Sequence, residues 1–200
     1  MKTAKTTIPA LLALLFAGCV SVFPESKKAA PRYDVALPDA PVATAKTMPP
    51  GSENLVVVCR VRASEEATGR QIRTADVETG RTGYLTDGEL ALSTEAVVGA
   101  FLRARLAAVR PDAIVCDASV APHSGARTTV DAWIERFRLE KSEGAWFFKA
   151  AIRIISVAPD GSVKVSDATP SVPVLTNGGA RPTAAEATRA ISSALASIEP

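Results

Sequence analysis

The sequence has few of the side chains on which most catalytic and metal sites depend. Its 200 residues include one histidine and three cysteines, and 5% of them are aromatic. A zinc site needs several Cys or His ligands at short spacings, which His123 and the separated cysteines do not supply. His123 lies in a loop beside Ser124, but adjacency in sequence does not create a nucleophile and its base. No glycine-rich nucleotide fingerprint is present. We therefore predict no enzymatic activity, no metal and no cofactor.

An excess of charge of one sign is also lacking. The formal net charge is +2, and Lys2 and Lys5 both precede Cys19, so the remainder of the chain has equal numbers of basic and acidic side chains. Nucleic-acid-binding proteins usually show a basic excess or a clustered basic face. The sequence therefore predicts no nucleic-acid partner. Its 47% hydrophobic residues instead suit a folded domain with a buried core.

No apolar run approaches the ~20 residues of a spanning helix, but the N-terminus has an export signal. Lys2 and Lys5 precede an apolar stretch over 8–16, and Ala17 and Gly18 then lead to Cys19. This order is typical of a secretory signal peptide. Residues 15–19 resemble a lipobox, in which the cysteine is acylated and becomes the first residue of the mature chain. We predict a signal peptide over 1–18 and lipidation of Cys19, with an ordinary signal peptide as the alternative.

The remaining chain divides into a tether and one domain. Six prolines between residues 20 and 50 predict an extended tether over 19–50, in which 32–37 has the alternation of a short edge strand. Residues 51–200 form the predicted single periplasmic domain. In bacteria that sort lipoproteins, Asp after the cysteine commonly retains the protein in the inner membrane. Val20 at this position therefore favours the outer membrane.

Hydrophobic periodicity predicts two helices and a sheet. The helices are expected over 94–109, after Ser93 or Thr94 as N-cap, and after Thr183, which forms a capping box with Glu186. Strands are expected at 55–62, 70–78, 84–85, 113–119, 128–139, 145–157 and 163–174, and the last three suggest an antiparallel meander. This order predicts an α+β two-layer sandwich, a mostly antiparallel sheet with two helices packed on it.

The aromatic residues of the two long strands allow two interpretations. Trp133, Trp146 and Phe148 can pack the sheet on the helices, or they can form an apolar face that meets a ligand or a partner. Simple alternation puts Trp133, Phe137 and Leu139 on one face of their strand, and Val130, Ala132 and Ile134 on the other.

Cys59 and Cys116 lie inside predicted core strands. An oxidising compartment allows a disulfide between them, whereas reduced cysteines would pack as small hydrophobic residues. Their spacing does not decide whether the Cα atoms approach within the ~7 Å that a disulfide needs.

Several segments resemble a known family in their order. They are the start at 32–38 soon after the lipidated cysteine, the strand at 55–62, the segment 69–72, Tyr84 and the helix at 94–109, followed by the meander and the closing helix. Together they resemble the ABC-type transport auxiliary lipoprotein family, which includes paraquat-inducible protein C-like lipoproteins. Residues 71–74 lack the family's tyrosine, and residues 90–92 lack its tryptophan.

The resemblance implies an adaptor role. It implies a periplasm-facing outer-membrane lipoprotein that works with an ABC permease, an ATPase and a mammalian-cell-entry (MCE) domain protein to move lipids between membranes. Phospholipid contact and a homo-oligomer would fit this role, and the resemblance brings no catalytic residues. The alternatives are an unrelated envelope lipoprotein that acts as an assembly or secretion scaffold, and a periplasmic hydrolase with a polar pocket that contains His123.

Overall fold

The computed structural model describes residues 29–37, 55–121, 126–176 and 180–199. These ranges contain ten strands and two helices. The helices are α1 (Thr94–Val109) and α2 (Ala184–Ala196). The strands are β1 (Arg32–Tyr33), β2 (Leu55–Ala63), β3 (Arg73–Asp76), β4 (Thr82–Tyr84), β5 (Glu89–Leu90), β6 (Ile114–Asp117), β7 (Thr128–Ser142), β8 (Ala145–Val157), β9 (Val163–Ala168) and β10 (Ser171–Pro173).

A long antiparallel hairpin of β7 and β8 forms the centre of the sheet. The two strands pair from Thr129 opposite Val157 to Ser142 opposite Ala145. Glu143 and Gly144 connect them with φ angles of +52° and +74°. Two turn residues with positive φ are typical of the type I′ turn, whose twist matches that of the flanking strands. The hairpin therefore has the register that its tight turn favours.

The prediction of a mostly antiparallel sheet holds for only part of the structure. On the β8 side, β9 and β10 both pair antiparallel with β8. On the β7 side, β2 and β3 pair in parallel with successive halves of β7, and β6 pairs in parallel with β2. Along the chain, α1 follows β2 and precedes β6 and β7. This helix belongs to the long crossover that parallel strands require. The sheet is therefore mixed.

Both helices pack on one face of this sheet and enclose the core. Phe101 of α1, Ile191 of α2 and Phe148 of β8 are each fully buried in a single hydrophobic cluster. The Ser93 hydroxyl accepts a hydrogen bond from the Ala96 N–H at 3.3 Å, which caps α1 as the sequence predicts. Neither of the described helices is long and apolar enough to cross a bilayer.

A β-bulge at Glu135 decides which side chains of β7 face the helices. The register with β8 shifts between Ile134 and Arg136, so one extra residue interrupts the alternation of the strand. Ile134 is buried before the bulge, and Phe137 and Leu139 are buried after it. The expectation that Phe137 and Leu139 share a face with Trp133 is therefore wrong. They face the core, and Trp133 lies on the opposite face.

The middle of the predicted tether, residues 29–37, packs on the domain. β1 pairs in parallel with β5, and the Arg32 Nε donates to Glu89 Oε1 at 3.1 Å. The Tyr33 ring lies so close to Gly88 that a Cβ on this glycine would be 2.4 Å from Tyr33 Cε2. Tyr33, Val35 and Leu37 also pack against the core cluster. Residues 29–37 therefore lie on the helix side of the sheet and belong with the domain.

The capping box of α2 offers a local test of the fold. The Thr183 hydroxyl accepts from the Glu186 N–H, and the Glu186 carboxylate accepts from the Thr183 N–H at 2.8 Å. We expect Thr183→Ala to lower the free energy of unfolding by about 1 kcal/mol, measured by urea denaturation. Ser193→Ala, at an exposed position within α2, should change it by about 0.5 kcal/mol or less. Equal losses in the two variants would contradict the capping assignment.

Candidate functional site

The two described helices leave one face of the sheet uncovered, and the main candidate site lies there. Side chains directly opposite in a ladder point to the same side, so the pairing register defines two rows across β2, β7, β8 and β9. We call this surface the open face; its rows are Arg62–Trp133–Arg153–Asp167 and Arg60–Asp131–Ile155–Val165.

Trp133 is the most distinctive residue of the open face. Its neighbours in register are Arg62 on β2 and Arg153 on β8. The side chain is 40% exposed, and Val165 in the adjoining row is 55% exposed. Tryptophan and arginine are enriched at the energetically dominant positions of protein interfaces. The open face thus has the side chains of a docking surface.

The charges around Trp133 are only partly neutralised. Arg153 binds Asp167 through Nε–Oδ1 and Nη2–Oδ2 contacts of 2.8 and 3.4 Å, and this carboxylate raises the pKa of Arg153. Arg60 and Arg62 are exposed and make no ion pair within the described ranges. Two arginines therefore remain available beside the exposed tryptophan, and their charge favours a partner surface that bears carboxylates.

Trp133, Trp146 and Phe148 do not form one apolar face. Phe148 is fully buried, and its ring meets that of Phe137 edge to face at a centroid distance of 4.8 Å. Trp146 is partly buried against the same core cluster. The bulge places Trp133 on the other side of the sheet. The interpretation as core packing therefore applies to Trp146 and Phe148, and the interpretation as a partner face remains only for Trp133.

A buried carboxylate lies further along β7. Glu140 is 4% exposed and accepts contacts of 2.8 Å from both Arg138 Nη2 and Lys149 Nζ. Burial by itself raises the pKa of Glu140, but hydrogen bonds from Lys149 and Arg138, together with their charges, outweigh burial and lower the pKa below its ordinary value. This carboxylate stays ionised and links β7 to β8, so its role is structural.

The lowered pKa of Glu140 predicts a pH dependence of stability. A carboxyl whose pKa is lower in the folded state stabilises the fold above its unfolded value near 4.5, and this contribution is lost as the pH falls through the folded pKa. We expect Glu140→Gln to lower the free energy of unfolding by about 1.5–3 kcal/mol at pH 7 and to reduce the acid-induced loss. Urea denaturation from pH 7 to pH 3 measures both effects.

Glu65→Gln is the matched control for Glu140, because Glu65 is exposed. This control should change stability by about 0.5 kcal/mol or less and should keep the acid-induced loss of the unmodified chain. If the free energy of unfolding falls between pH 7 and pH 3 by as much in Glu140→Gln as in the control, then Arg138 and Lys149 do not hold Glu140 ionised.

No metal site emerges among the described residues. Within them, no group of three or more His, Cys, Asp and Glu side chains is placed to hold a metal ion. His123 and Ser124 lie outside the described residues. The expectation that the chain is not an enzyme therefore remains a prediction from the sequence.

The cysteine assignments also remain predictions. Cys19 lies outside the described residues, and so does the side chain of Cys59. The strands β2 and β6 are neighbours, and Cys116 of β6 is paired with Val57 of β2. Val57 lies two positions before Cys59 in the same strand. The pairing therefore brings the two cysteine-bearing strands together, which sequence spacing alone does not establish.

Comparisons with known proteins bear on the fold of this chain. A scan of family models and a search of curated proteins found no match to this chain. The structure resembles the crystal structure of an uncharacterized protein, with a TM-score of 0.60 and 12% identity over 84% of this chain and 93% of that chain. It also resembles protein XCC0632 from Xanthomonas campestris, of family DUF330, with a TM-score of 0.59 and 11% identity over 82% of this chain and 88% of that chain. At these identities the likeness shows a shared fold.

Proposed function

We propose that this chain is a lipid-anchored lipoprotein of the bacterial envelope, and that it acts as the auxiliary subunit of an ABC-type, MCE-associated lipid transport system. The signal peptide and Cys19 support the anchor, and the order of elements supports the family. The single observation that carries the adaptor role is the open face, a sheet surface with an exposed tryptophan and two arginines without ion-pair partners in the described ranges.

The placement of residues 29–37 supports an arrangement in which the anchor joins the domain on one side and the partner binds on the other. This segment packs with Tyr33, Val35 and Leu37 against the core on the helix side. The chain from the lipidated cysteine thus joins the domain on the side away from Trp133. The anchor holds the domain at the outer membrane, and the open face meets a periplasmic partner.

The open face suits a protein partner of defined chemistry. Trp133, Ile155 and Val165 supply an apolar centre. Arg62, and Arg60 opposite Asp131 in its row, supply positive charge at its edge. An apolar centre with a charged rim is the usual anatomy of a protein interface. The proposed partner is the MCE-domain protein of the transport system, and we expect it to present carboxylates to these arginines.

Copurification from native membranes tests this role. An affinity-tagged chain, solubilised in mild detergent, should enrich an MCE-domain protein together with an ABC permease and ATPase. Trp133→Ala should lower that enrichment, whereas Arg189→Ala, at an exposed position of α2, should not. If none of these three proteins is enriched and secretion or assembly proteins are found in their place, the scaffold alternative is correct.

A further inference from the structure

The second half of β2 is paired on one side only. On one side β2 pairs with β7 as far as Ala63, but on the other side β6 pairs with it only over Leu55–Val58. The Ala118 N–H donates to the Val58 carbonyl at 3.2 Å, and beyond this point no strand of the described ranges pairs with that side of β2. We call residues 60–63 the free edge.

The free edge presents backbone hydrogen-bonding groups. The Ser64 N–H donates to the Ile134 carbonyl of β7 at 2.9 Å, and the direction of the N–H groups alternates along an extended strand. The backbone groups of Val61 and Ala63 therefore point away from β7, toward the free edge. Such N–H and C=O groups at a sheet edge are a template for the pairing of another strand.

A groove of about 530 Å³ lies beside the free edge, between β2 and α1. Val61 lines it from β2, and Ala96 and Gly99 line it from α1. A Cβ on Gly99 would lie 3.4 Å from Val61 Cγ2, so the helix and the strand are in contact at this point. Arg103 and Asp117 also line the groove, and their charges pair at 3.0 Å. The groove can therefore accept an apolar side chain next to Val61.

The two faces of an added strand would meet different surroundings. Side chains directly opposite in a ladder point to the same face, so a residue opposite Val61 points into the groove, and residues opposite Arg60 and Arg62 lie on the open face. Arg62 is exposed and makes no ion pair within the described ranges, whereas Arg60 is opposite Asp131. An acidic side chain in the groove would meet Glu95. Carboxylates are therefore favoured on the open face, beside Arg62 above all.

We propose that an extended segment of a partner protein adds to the free edge as a strand, in line with β6. Its main chain pairs with residues 60–63, an apolar side chain enters the groove at Val61, and acidic side chains on either side of it lie next to Arg60 and Arg62. Main-chain pairing supplies affinity in complexes of this kind, and the alternate side chains supply specificity. The inference rests on the proposed docking of a protein at the open face, but not on which protein docks there.

Peptide binding tests the pattern. The full chain with Cys19→Ser, purified without detergent, is titrated into short fluorescein-labelled peptides in which valine alternates with glutamate or with lysine, and fluorescence polarisation measures binding. The glutamate peptide should bind about tenfold more tightly, because lysine places like charges beside Arg62. Arg62→Glu should reverse this order of affinities. Lys164→Glu, at an exposed position of β9, should keep it.

Paired variants locate the binding site. Ala63→Pro removes an N–H of the free edge, and Ala96→Phe fills the groove, so each should weaken binding of the glutamate peptide by about tenfold or more. Ala108→Phe is the matched control for Ala96→Phe, since Ala108 is exposed on the same helix but does not line the groove. Thermal melting by circular dichroism checks that each variant is folded, and the phenylalanine pair decides the result if the proline variant unfolds.

A photoreactive amino acid at position 96 identifies what occupies the groove. In the presence of the glutamate peptide it should form an adduct with the peptide, located by mass spectrometry. If the adducts form only with residues 38–54 of the same chain, or only with a second copy of the chain, that segment or copy is the occupant and the inference is wrong.

Three further results would overturn the inference: no binding of the glutamate peptide, equal affinity for the lysine peptide, or equal weakening by Ala96→Phe and Ala108→Phe. If the peptide fails to bind but the transport proteins are still enriched from membranes in a manner that depends on Trp133, only strand addition is refuted. If the peptide binds as expected and no transport protein is enriched, only the assignment to lipid transport is refuted.

Discussion

Replacing Phe148 by alanine should lower the free energy of unfolding by about 3–5 kcal/mol, the usual cost of truncating a buried aromatic residue. Phe148 is fully buried and meets the Phe137 ring edge to face. The variant loses the burial of its ring, leaves a cavity in a close-packed core, and removes the aromatic pair. Urea denaturation of the purified domain measures the change.

Trp133→Ala is the matched comparison, because Trp133 lies on the neighbouring strand but on the open face, where it is 40% exposed. Trp133→Ala should lower the free energy of unfolding of the isolated chain by about 1 kcal/mol or less, although it removes a larger side chain than Phe148→Ala does. A Trp133→Ala loss equal to or greater than that of Phe148→Ala would mean that the two faces of the hairpin have been assigned the wrong way round.

Replacing Cys19 by serine should release the protein from membranes. A serine hydroxyl does not replace the thiol to which the diacylglyceryl group is attached, and neither described helix can span a bilayer. Each buried methylene of a lipid anchor contributes about 0.8 kcal/mol, so loss of the acyl chains removes the main membrane attachment that the sequence predicts. Membrane fractionation and labelled palmitate incorporation measure the effect.

Val20→Asp is the control for Cys19→Ser, because it keeps the thiol. This variant should incorporate palmitate and stay membrane-bound, but it should fractionate with the inner membrane in a bacterium that sorts lipoproteins. A Cys19→Ser protein that remains in the membrane fraction and still carries the label would refute the anchor.

Local signals made the helices and the long strands predictable. Ser93 and the capping box of Thr183 and Glu186 mark two helix starts, and the structure begins α1 and α2 at the next residue in each case. The turn at Glu143–Gly144, which separates β7 from β8, likewise lies in the gap between the predicted strands 128–139 and 145–157. Each of these features depends on residues a few positions apart, so the sequence alone contains the information.

Features that depend on distant residues were not predictable in the same way. The parallel pairing of β2 and β3 with β7 joins segments tens of residues apart, and no local pattern specifies it. The bulge at Glu135 has no glycine or proline to mark it, and one inserted residue reverses the alternation for the rest of β7. The wrong face for Phe137 and Leu139 follows directly from that single insertion.

The open face needed both kinds of information. The charged positions of Arg60-Val61-Arg62 alternate with an apolar residue, which indicates a half-exposed strand. Only the register, however, shows that Arg62 and Arg153 flank Trp133 and that Asp167 follows in the same row. A constellation of residues from four strands is visible only once the strand order is known.

Site-specific photo-crosslinking in cells tests the central claim most directly. A photoreactive amino acid at position 133 lies on the open face, and one at position 189 lies on the exposed side of α2. An adduct with an MCE-domain protein should form from position 133 and should be absent from position 189. If position 133 gives no such adduct, or if position 189 gives it equally well, the open face is not the surface through which an anchored transport subunit meets its partner.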